Sequence, residues 1–554
     1  MSAINRLHIV GCMCVVSLAL AGAAFAQTST GKIIGVVQDT SGAVLPGVSV
    51  VIRNLGTGTS RDAVTDDRGQ FDVSGLAPGR YQIDAELQGF RKFSQGPVTV
   101  QVNQETRVNP TLSVGAVAET ITVAAEGILV QTTTSVVGKV VDEKQILDLP
   151  LSGRNFADLG LLTPGVTTRG QTTSAGTSFY VHGQRDDANN FLLDGTSDNS
   201  LEGNTLQARP NVDAVQEFKI QTSNFSAEFG RNSGSVVNVV TKSGTNAFRG
   251  SGWEFARSDK FQSKNFFATT EPPPLKFNQF GGTLGGPVIR NKTFFFGSYE
   301  GYREDRGLTR QTIVATTQER GGDFSFLSKQ LINPSTGLSF AGNMIPTSQI
   351  SPAALKLLAL MPLPNIPGVA PRKNNYVSSP ESKNHYDQYM GRVDQTINDH
   401  WTLFYRHFLQ DTDMFNPFQG ASPANYVGFS NVAPSRVQHA TGGMNTVFTS
   451  ALLNEFRVGF SRTAGSNSNH PFLNPVDYGI NYVRPQNAIG GLGLPDITIN
   501  GISGIGNSVQ GPSVSTITEY GVTMFGSVTY SWPTSGMVVG LIGSLSKVSR
   551  TTGC

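Results

Sequence analysis

From Leu452 to Phe460 side chains alternate one by one: Leu452, Phe456, Val458 and Phe460 share a face with Asn454, while Leu453, Glu455, Arg457 and Gly459 share the other. A period of two with unlike faces makes a strand whose two sides meet different surroundings. The same pattern sets Tyr389, Gly391, Val393 and Ile397 against Met390, Arg392 and Asp394, and after Asn398-Asp399-His400 the chain resumes with WTLFYRHF, a hairpin. After residue 26 no apolar run reaches the roughly 20 residues that a membrane-crossing helix needs. Any bilayer crossing must therefore use strands, whose backbone groups are satisfied between neighbours.

Composition agrees. Charged residues are 15% of the chain while Gly reaches 62 and Phe 33, a balance of turns and aromatics over helical surface, so the fold class is mainly β. At 554 residues several domains are expected, because single cores stop growing near ~250–300 residues. A net charge of +2 leaves no basic surplus for nucleic acid. Arg6, the apolar run Ile9 to Ala21 and the small residues of Ala24-Phe25-Ala26 form a secretory signal peptide over 1–26. Cys12 and Cys14 leave with it, so Cys554 cannot build a disulfide framework within one chain.

Over 27–115 short β-branched runs (IIGVVQD, VSVVIRN, LAPGRYQI, GPVTVQV) recur between turn signals, as in a small sandwich. Asp66-Asp67-Arg68-Gly69 reads as a tight turn; it lacks the ligand count of a calcium loop. Gly35, Asp39, Pro46-Gly47, Asp66 to Phe71, Leu76 to Tyr81 and Gly89-Phe90 resemble the carboxypeptidase regulatory-like domain, a transthyretin-like (carbohydrate-binding-like) β-sandwich. No peptidase is implied, since the segment has no His to ligate zinc.

Residues 116–135 read as an extended linker. Within it Glu119, Thr120, Ile121, Thr122 and Val123 look like the TonB box of outer-membrane transporters, a strand that adds to a partner's sheet edge; the other reading is the last strand of the sandwich. Residues 136–245 read as a mixed α/β domain with a helix from Asp142 to Leu147. FYVHGQRDDANNFLLDGTSDN (179–199) and the run 212–248 closely resemble the plug of TonB-dependent receptors, the Oar-like group in particular, with Gly183, Gln184, Arg185, Asp194 and Gly195 as motif residues. His182, Asp186, Asp187 and Asp194 read as turn residues rather than an acid/base site.

FGGTLGGP (280–287) lacks the spacing of a phosphate loop and, with KTFFFGSYEGYR (292–303), resembles the start of the barrel of that family. Residues 246–520 are expected to supply part of an antiparallel transmembrane β-barrel, with roughly eight strand candidates between 247 and 530 and with Trp401, Phe404, Tyr405 and Phe408 as a membrane girdle. The polar stretches 316–385 and 463–515 read as extracellular loops, with a short helix from Leu355 to Met361. Residues 521–554 do not resemble the family, and a frameshifted tail or a split barrel completed elsewhere are the two readings.

The resemblance implies an energised outer-membrane transporter of a Gram-negative bacterium for an unknown bulky extracellular substrate, an oligosaccharide in the preferred reading. The TonB-ExbB-ExbD complex and outer-membrane lipid are its expected partners, the sandwich is expected in the periplasm, and no cofactor, metal or catalytic residue is expected. The rival reading is a surface adhesion or structural protein without import.

Overall fold

The computed structural model describes residues 29–115, 120–123, 136–151, 153–168, 179–200, 203–225, 229, 232–263, 272–418, 424–449, 452–470, 473–481, 493–507, 513–530 and 537–553. The signal-peptide reading and Glu119 lie outside them.

The first domain is a sandwich of β1 (Gly31–Val36), β2 (Ser49–Asn54), β3 (Ser60–Val64), β4 (Gln70–Leu76), β5 (Gly79–Glu86), β6 (Lys92–Val100), β7 (Glu105–Arg107) and β8 (Thr120–Val123). One sheet runs β4-β1-β7 and the other β8-β6-β5-β2-β3. Alternate residues of each strand face inward, so Ile33, Val50, Ile52, Phe71, Ile83 and Phe93 meet in one core, each such side chain contributing about 1.5–3 kcal/mol by burial. Asp66 closes the expected turn, its Oδ1 accepting from the N–H groups of Arg68 (2.9 Å) and Gln70 (2.8 Å). Gly69 sits at φ 68°, where a side chain would be strained.

The central domain contains β9 (Val137–Asp142), helix α1 (Glu143–Asp148), β10 (Asn190–Leu193), β11 (Thr196–Ser197), β12 (Val215–Ser223) and β13 (Val236–Thr241). Its sheet runs β9-β12-β13-β10-β11. The helix starts one residue later than the sequence pattern indicates because Asp142 is its cap, accepting from the Gln145 N–H at 2.8 Å. Phe156, Phe179, Phe191, Leu193, Phe218 and Ile220 form the core.

Among the described residues of the rest of the chain the main element is a ten-stranded antiparallel sheet: β14 (Arg249–Ser258), β15 (Leu275–Ile289), β16 (Thr293–Gly307), β17 (Glu381–Thr396), β18 (Trp401–Asn416), β19 (Ser430–Val432), β20 (Ser435–Thr449), β21 (Leu452–His470), β22 (Ser513–Tyr530) and β23 (Met537–Gly553). Neighbours in the chain pair in order, with β19 short and beside β18 and β21. The boundary expected at 520 falls inside β22, which pairs with β23 from Val514↔Gly553 to Tyr530↔Met537. Residues 463–470, expected in a loop, continue β21 because they pair with β19, β20 or β22.

Both alternating patterns occur as read. Glu455 and Arg457 are each 2% exposed on the inner face, while Val458, Tyr389, Val393 and Ile397 are exposed on the outer one. The aromatic girdle is half corrected by the same period of two. Trp401 and Tyr405 point outward, whereas Phe408 is fully buried in the core shared with the central domain and Phe404 faces inward beneath two arginines, 4.7 Å from Arg392 and 5.1 Å from Arg457.

The strand ends differ sharply. At one end the connections are short, such as 397–400, and the sandwich sits against them: the Asn246 N–H donates to Gly56 O at 2.9 Å and the Arg61 guanidinium to Asp399 O at 3.0 Å. At the other end the long connections build their own core from Val314, Met361, Tyr426, Phe429, Leu494 and Ile505. Helix α2 (Pro352–Leu358) stands there, three residues earlier than the pattern in Leu355 to Met361 indicates, because Pro352 fits its first turn. Arg320 ties these connections together, donating to the carbonyls of Ala315 (3.1 Å), Leu358 (2.7 Å), Met361 (2.9 Å) and Pro362 (2.7 Å).

Candidate functional site

The tight turn between β10 and β11 places Asp194 at φ 51° and Gly195 at φ 82°, conformations that Asp tolerates and Gly adopts freely. This aims the Asp194 carboxylate out of the central domain into the inner face of the long-stranded sheet, where it is 1% exposed. It accepts from the Thr241 N–H and hydroxyl, both at 2.9 Å, from Arg392 Nη1 at 3.2 Å and from Arg406 Nε at 3.0 Å. Burial alone would raise the carboxyl, but the two guanidiniums and Thr241 outweigh it and hold Asp194 below its ordinary range.

The sheet side of this contact is equally tied down. Arg406, fully buried, also donates to His439 O (3.1 Å) and to the Thr441 hydroxyl (2.8 Å), which in turn lies 2.8 Å from the Thr196 hydroxyl. His439 Nδ1 faces Arg406 Nη1 at 3.1 Å and Nε2 faces Ser197 O at 3.1 Å. Those neighbours require Nδ1 to accept and Nε2 to donate, which is the neutral imidazole with its proton on Nε2.

Further contacts between the two domains are both polar and apolar. The Ser461 hydroxyl donates to Gln207 at 2.7 Å, and the Asn211 N–H donates to the Gln388 side chain at 2.8 Å. Arg154 pairs with Asp213 and lies against Trp253 (5.1 Å) and Phe255 (4.8 Å) of β14. From the sheet side, Phe296, Met390 and Phe408 join the central domain's core.

A second buried contact joins the sandwich to the central domain. The turn after β6 presents the Val102 N–H to the Glu217 carboxylate, Asn103 O to Lys219 Nζ (2.5 Å) and Asn103 Oδ1 to the Asn238 side-chain amide (2.8 Å). Val102, Glu217, Lys219 and Asn238 are all buried. Burial pushes the Glu217 carboxyl up to about 7, with Asp142 adding to the rise and the Val102 N–H and Lys219 opposing it.

The sequence-derived motif residues are not one site. Gly183, Gln184 and Arg185 lie on an exposed turn where Arg185 pairs with Asp187 at 2.8 Å. Asp194 and Gly195 form the buried contact instead. His182, at φ 49°, is exposed and Asp194 is buried, so the polar residues of 182–194 do not converge. Thr120 to Val123 form β8, in parallel register with β6 from Thr120↔Lys92 to Val123↔Gln95. Sequence reading missed Arg392, Arg406, Glu217 and Lys219 as partners; the available signal was charge at inward positions of alternating strands, which a soluble-facing strand would not bury.

Comparisons with known proteins agree with this three-part architecture. Residues 32–113 match the Carboxypeptidase regulatory-like domain, 130–237 the TonB-dependent Receptor Plug Domain and 240–532 the Outer membrane beta barrel domain. The TonB-dependent transporter Oar of Myxococcus xanthus is 28% identical over 318 residues, which cover 53% of this chain and 29% of that protein. Among solved structures, the outer membrane transporter YddB from Escherichia coli matches with a TM-score of 0.45 and 12% identity, over 75% of this chain and 53% of that one. The ferric enterobactin receptor PfeA of Pseudomonas aeruginosa in complex with enterobactin matches with a TM-score of 0.43 and 11% identity, over 76% and 50%. The chain thus spans under a third of Oar and about half of the solved transporters it matches.

Proposed function

The chain belongs to the outer membrane beta barrel family and carries the plug of TonB-dependent receptors, and from that premise we propose that it serves energised import of a bulky nutrient across the outer membrane of a Gram-negative bacterium. The observation that carries the reading is the contact between plug and barrel wall. Asp194, Thr196, Gln207 and Asn211 meet Arg392, Arg406, Thr441, Ser461 and Gln388 largely through hydrogen bonds and ion pairs. Permanent interfaces are dominated by apolar burial, whereas groups that can exchange their partners for water suit a plug that leaves and returns.

In this reading residues 119–123 are the TonB box. The partner complex TonB-ExbB-ExbD pulls on that strand, and the plug residues Gly183, Gln184 and Arg185 stand on an exposed turn available to substrate. The substrate class is an oligosaccharide, supported by the carbohydrate-binding-like sandwich; the relative PfeA is a receptor for ferric enterobactin, which makes a ferric siderophore the competing class.

The test is binding of fluorescent oligosaccharides and of a ferric siderophore to outer-membrane vesicles containing the chain. Saturable oligosaccharide binding supports the substrate class, and siderophore binding alone overturns it. In cells, Ile121→Pro should abolish uptake, since proline removes a strand N–H; function retained without 119–123 would favour adhesion.

A further inference from the structure

The segment read as the TonB box is not a free tether. Four consecutive residues, Thr120 to Val123, hold parallel register with Lys92 to Gln95 of β6. This makes β8 the last strand of the sheet β8-β6-β5-β2-β3. The opposite end of that sheet is already committed, because Arg61 of β3 donates to Asp399 O in the short 397–400 turn of the barrel. Among the described residues no strand pairs with the other side of β8. The sheet therefore runs from an anchored edge at the barrel to an edge at β8 whose second row of backbone groups is unpaired among the described residues.

We propose that the sandwich presents residues 120–123 to TonB as a pre-ordered edge strand, so that a strand of the partner extends a sheet this chain has already built. The proposal rests on reading the segment as the TonB box and adds how it is offered. An isolated tetrapeptide must surrender its backbone freedom on binding, whereas β8 has surrendered it during folding of the sandwich, so less of the interaction is spent on ordering. The partner this edge fits is an extended strand with its main-chain groups exposed, and the β-branched run TITV keeps the edge extended. The arrangement also gives the partner's load a second route. Strand β6 carries β8 along one side and ends in the turn whose Val102 and Asn103 hold Glu217, Lys219 and Asn238 of the plug.

The experiment compares the purified full chain in detergent with a synthetic peptide of residues 117–125, using the periplasmic domain of TonB as the probe. The chain should bind at least tenfold more tightly than the peptide, and amides of 120–123 should exchange more slowly in the chain than in the peptide before any TonB is added. In a Ser94→Cys/Thr122→Cys double variant, oxidation should fix β8 on β6 and leave TonB affinity within twofold of the reduced form. Equal affinity of chain and peptide, or unprotected amides, overturns the presenting role while leaving the box assignment standing. Loss of binding on oxidation, restored by reductant, also overturns it, because the strand would then have to leave the sheet first. If neither peptide nor chain binds, the TonB assignment itself fails and the proposal with it.

Discussion

At each of the plug's two contacts a buried carboxylate stands at the centre, Asp194 at one and Glu217 at the other, and the two are held in opposite ways. Asp194 meets the barrel wall between two guanidiniums, which keep it ionised despite burial. Glu217 meets the sandwich through one main-chain N–H and the neighbourhood of Lys219, and burial wins there, lifting it to about 7. The difference teaches that the number and geometry of opposing charges, rather than depth, decides whether a buried acid stays charged. The barrel contact is a fixed electrostatic seat at any ordinary pH, while the sandwich contact changes character near neutrality.

The comparison breaks most visibly at Asp194. Asp194→Ala leaves Arg392 and Arg406 facing an empty site, and plug seating should fall by about 3–5 kcal/mol, as for other buried pairs stripped of one partner. Hydrogen exchange of plug amides 190–197 would accelerate accordingly; unchanged protection would show that the seat does not depend on the charge pair.

Next comes the pH response. Glu217 has a raised carboxyl, so its share of sandwich docking is complete below 4.5 and is lost as pH rises through about 7, with a slope of at most about 1.4 kcal/mol per pH unit. Asp194 has a lowered carboxyl, so its share is present above the ordinary aspartate value of 3.8 and lost only as pH falls below it. Exchange at 101–104, corrected for intrinsic rates, should therefore rise between pH 5 and pH 7 on the order of these values, while exchange at 190–197 stays flat. Glu217→Gln should flatten the first profile, and a profile that keeps its slope would assign the titration to another group.

A smaller effect is expected at Asn103, whose φ of 49° glycine tolerates. Asn103→Gly deletes the hydrogen bond to Asn238 and should weaken docking by about 1 kcal/mol, read as a modest rise in exchange at 101–104. The smallest belongs to Arg185→Ala. Its ion pair with Asp187 is exposed, so plug stability should stay within about 0.5 kcal/mol; an affected substrate affinity with unchanged stability would mark Arg185 as a binding residue.

Much of this molecule is legible in its sequence wherever the signal is local. The period of two fixes which side of a strand is apolar, so Glu455, Arg457 and Met390 fall on the inner face as the alternation requires. The turn at Asp66 to Gly69 is read from residues within four positions of each other, because its hydrogen bonds span no more than that. The girdle reading of Trp401, Phe404, Tyr405 and Phe408 failed at two of its four positions, where aromaticity was weighed above parity. Phe404 and Phe408 sit on even positions and face the plug, and only Trp401 and Tyr405 reach the outer surface.

What the sequence could not state is which charges meet. Asp194 finds Arg392 across 198 residues and Arg406 across 212, and Val102 finds Glu217 across 115. No periodicity encodes such distances, since they follow from the plug seating against the barrel wall and the sandwich closing on both. The local sequence determined strands, faces and turns, whose energetics act over a few residues. The tertiary structure alone decided that one turn aspartate is an ionic seat and that one plug glutamate titrates near neutrality, because each depends on groups brought together only when the domains pack.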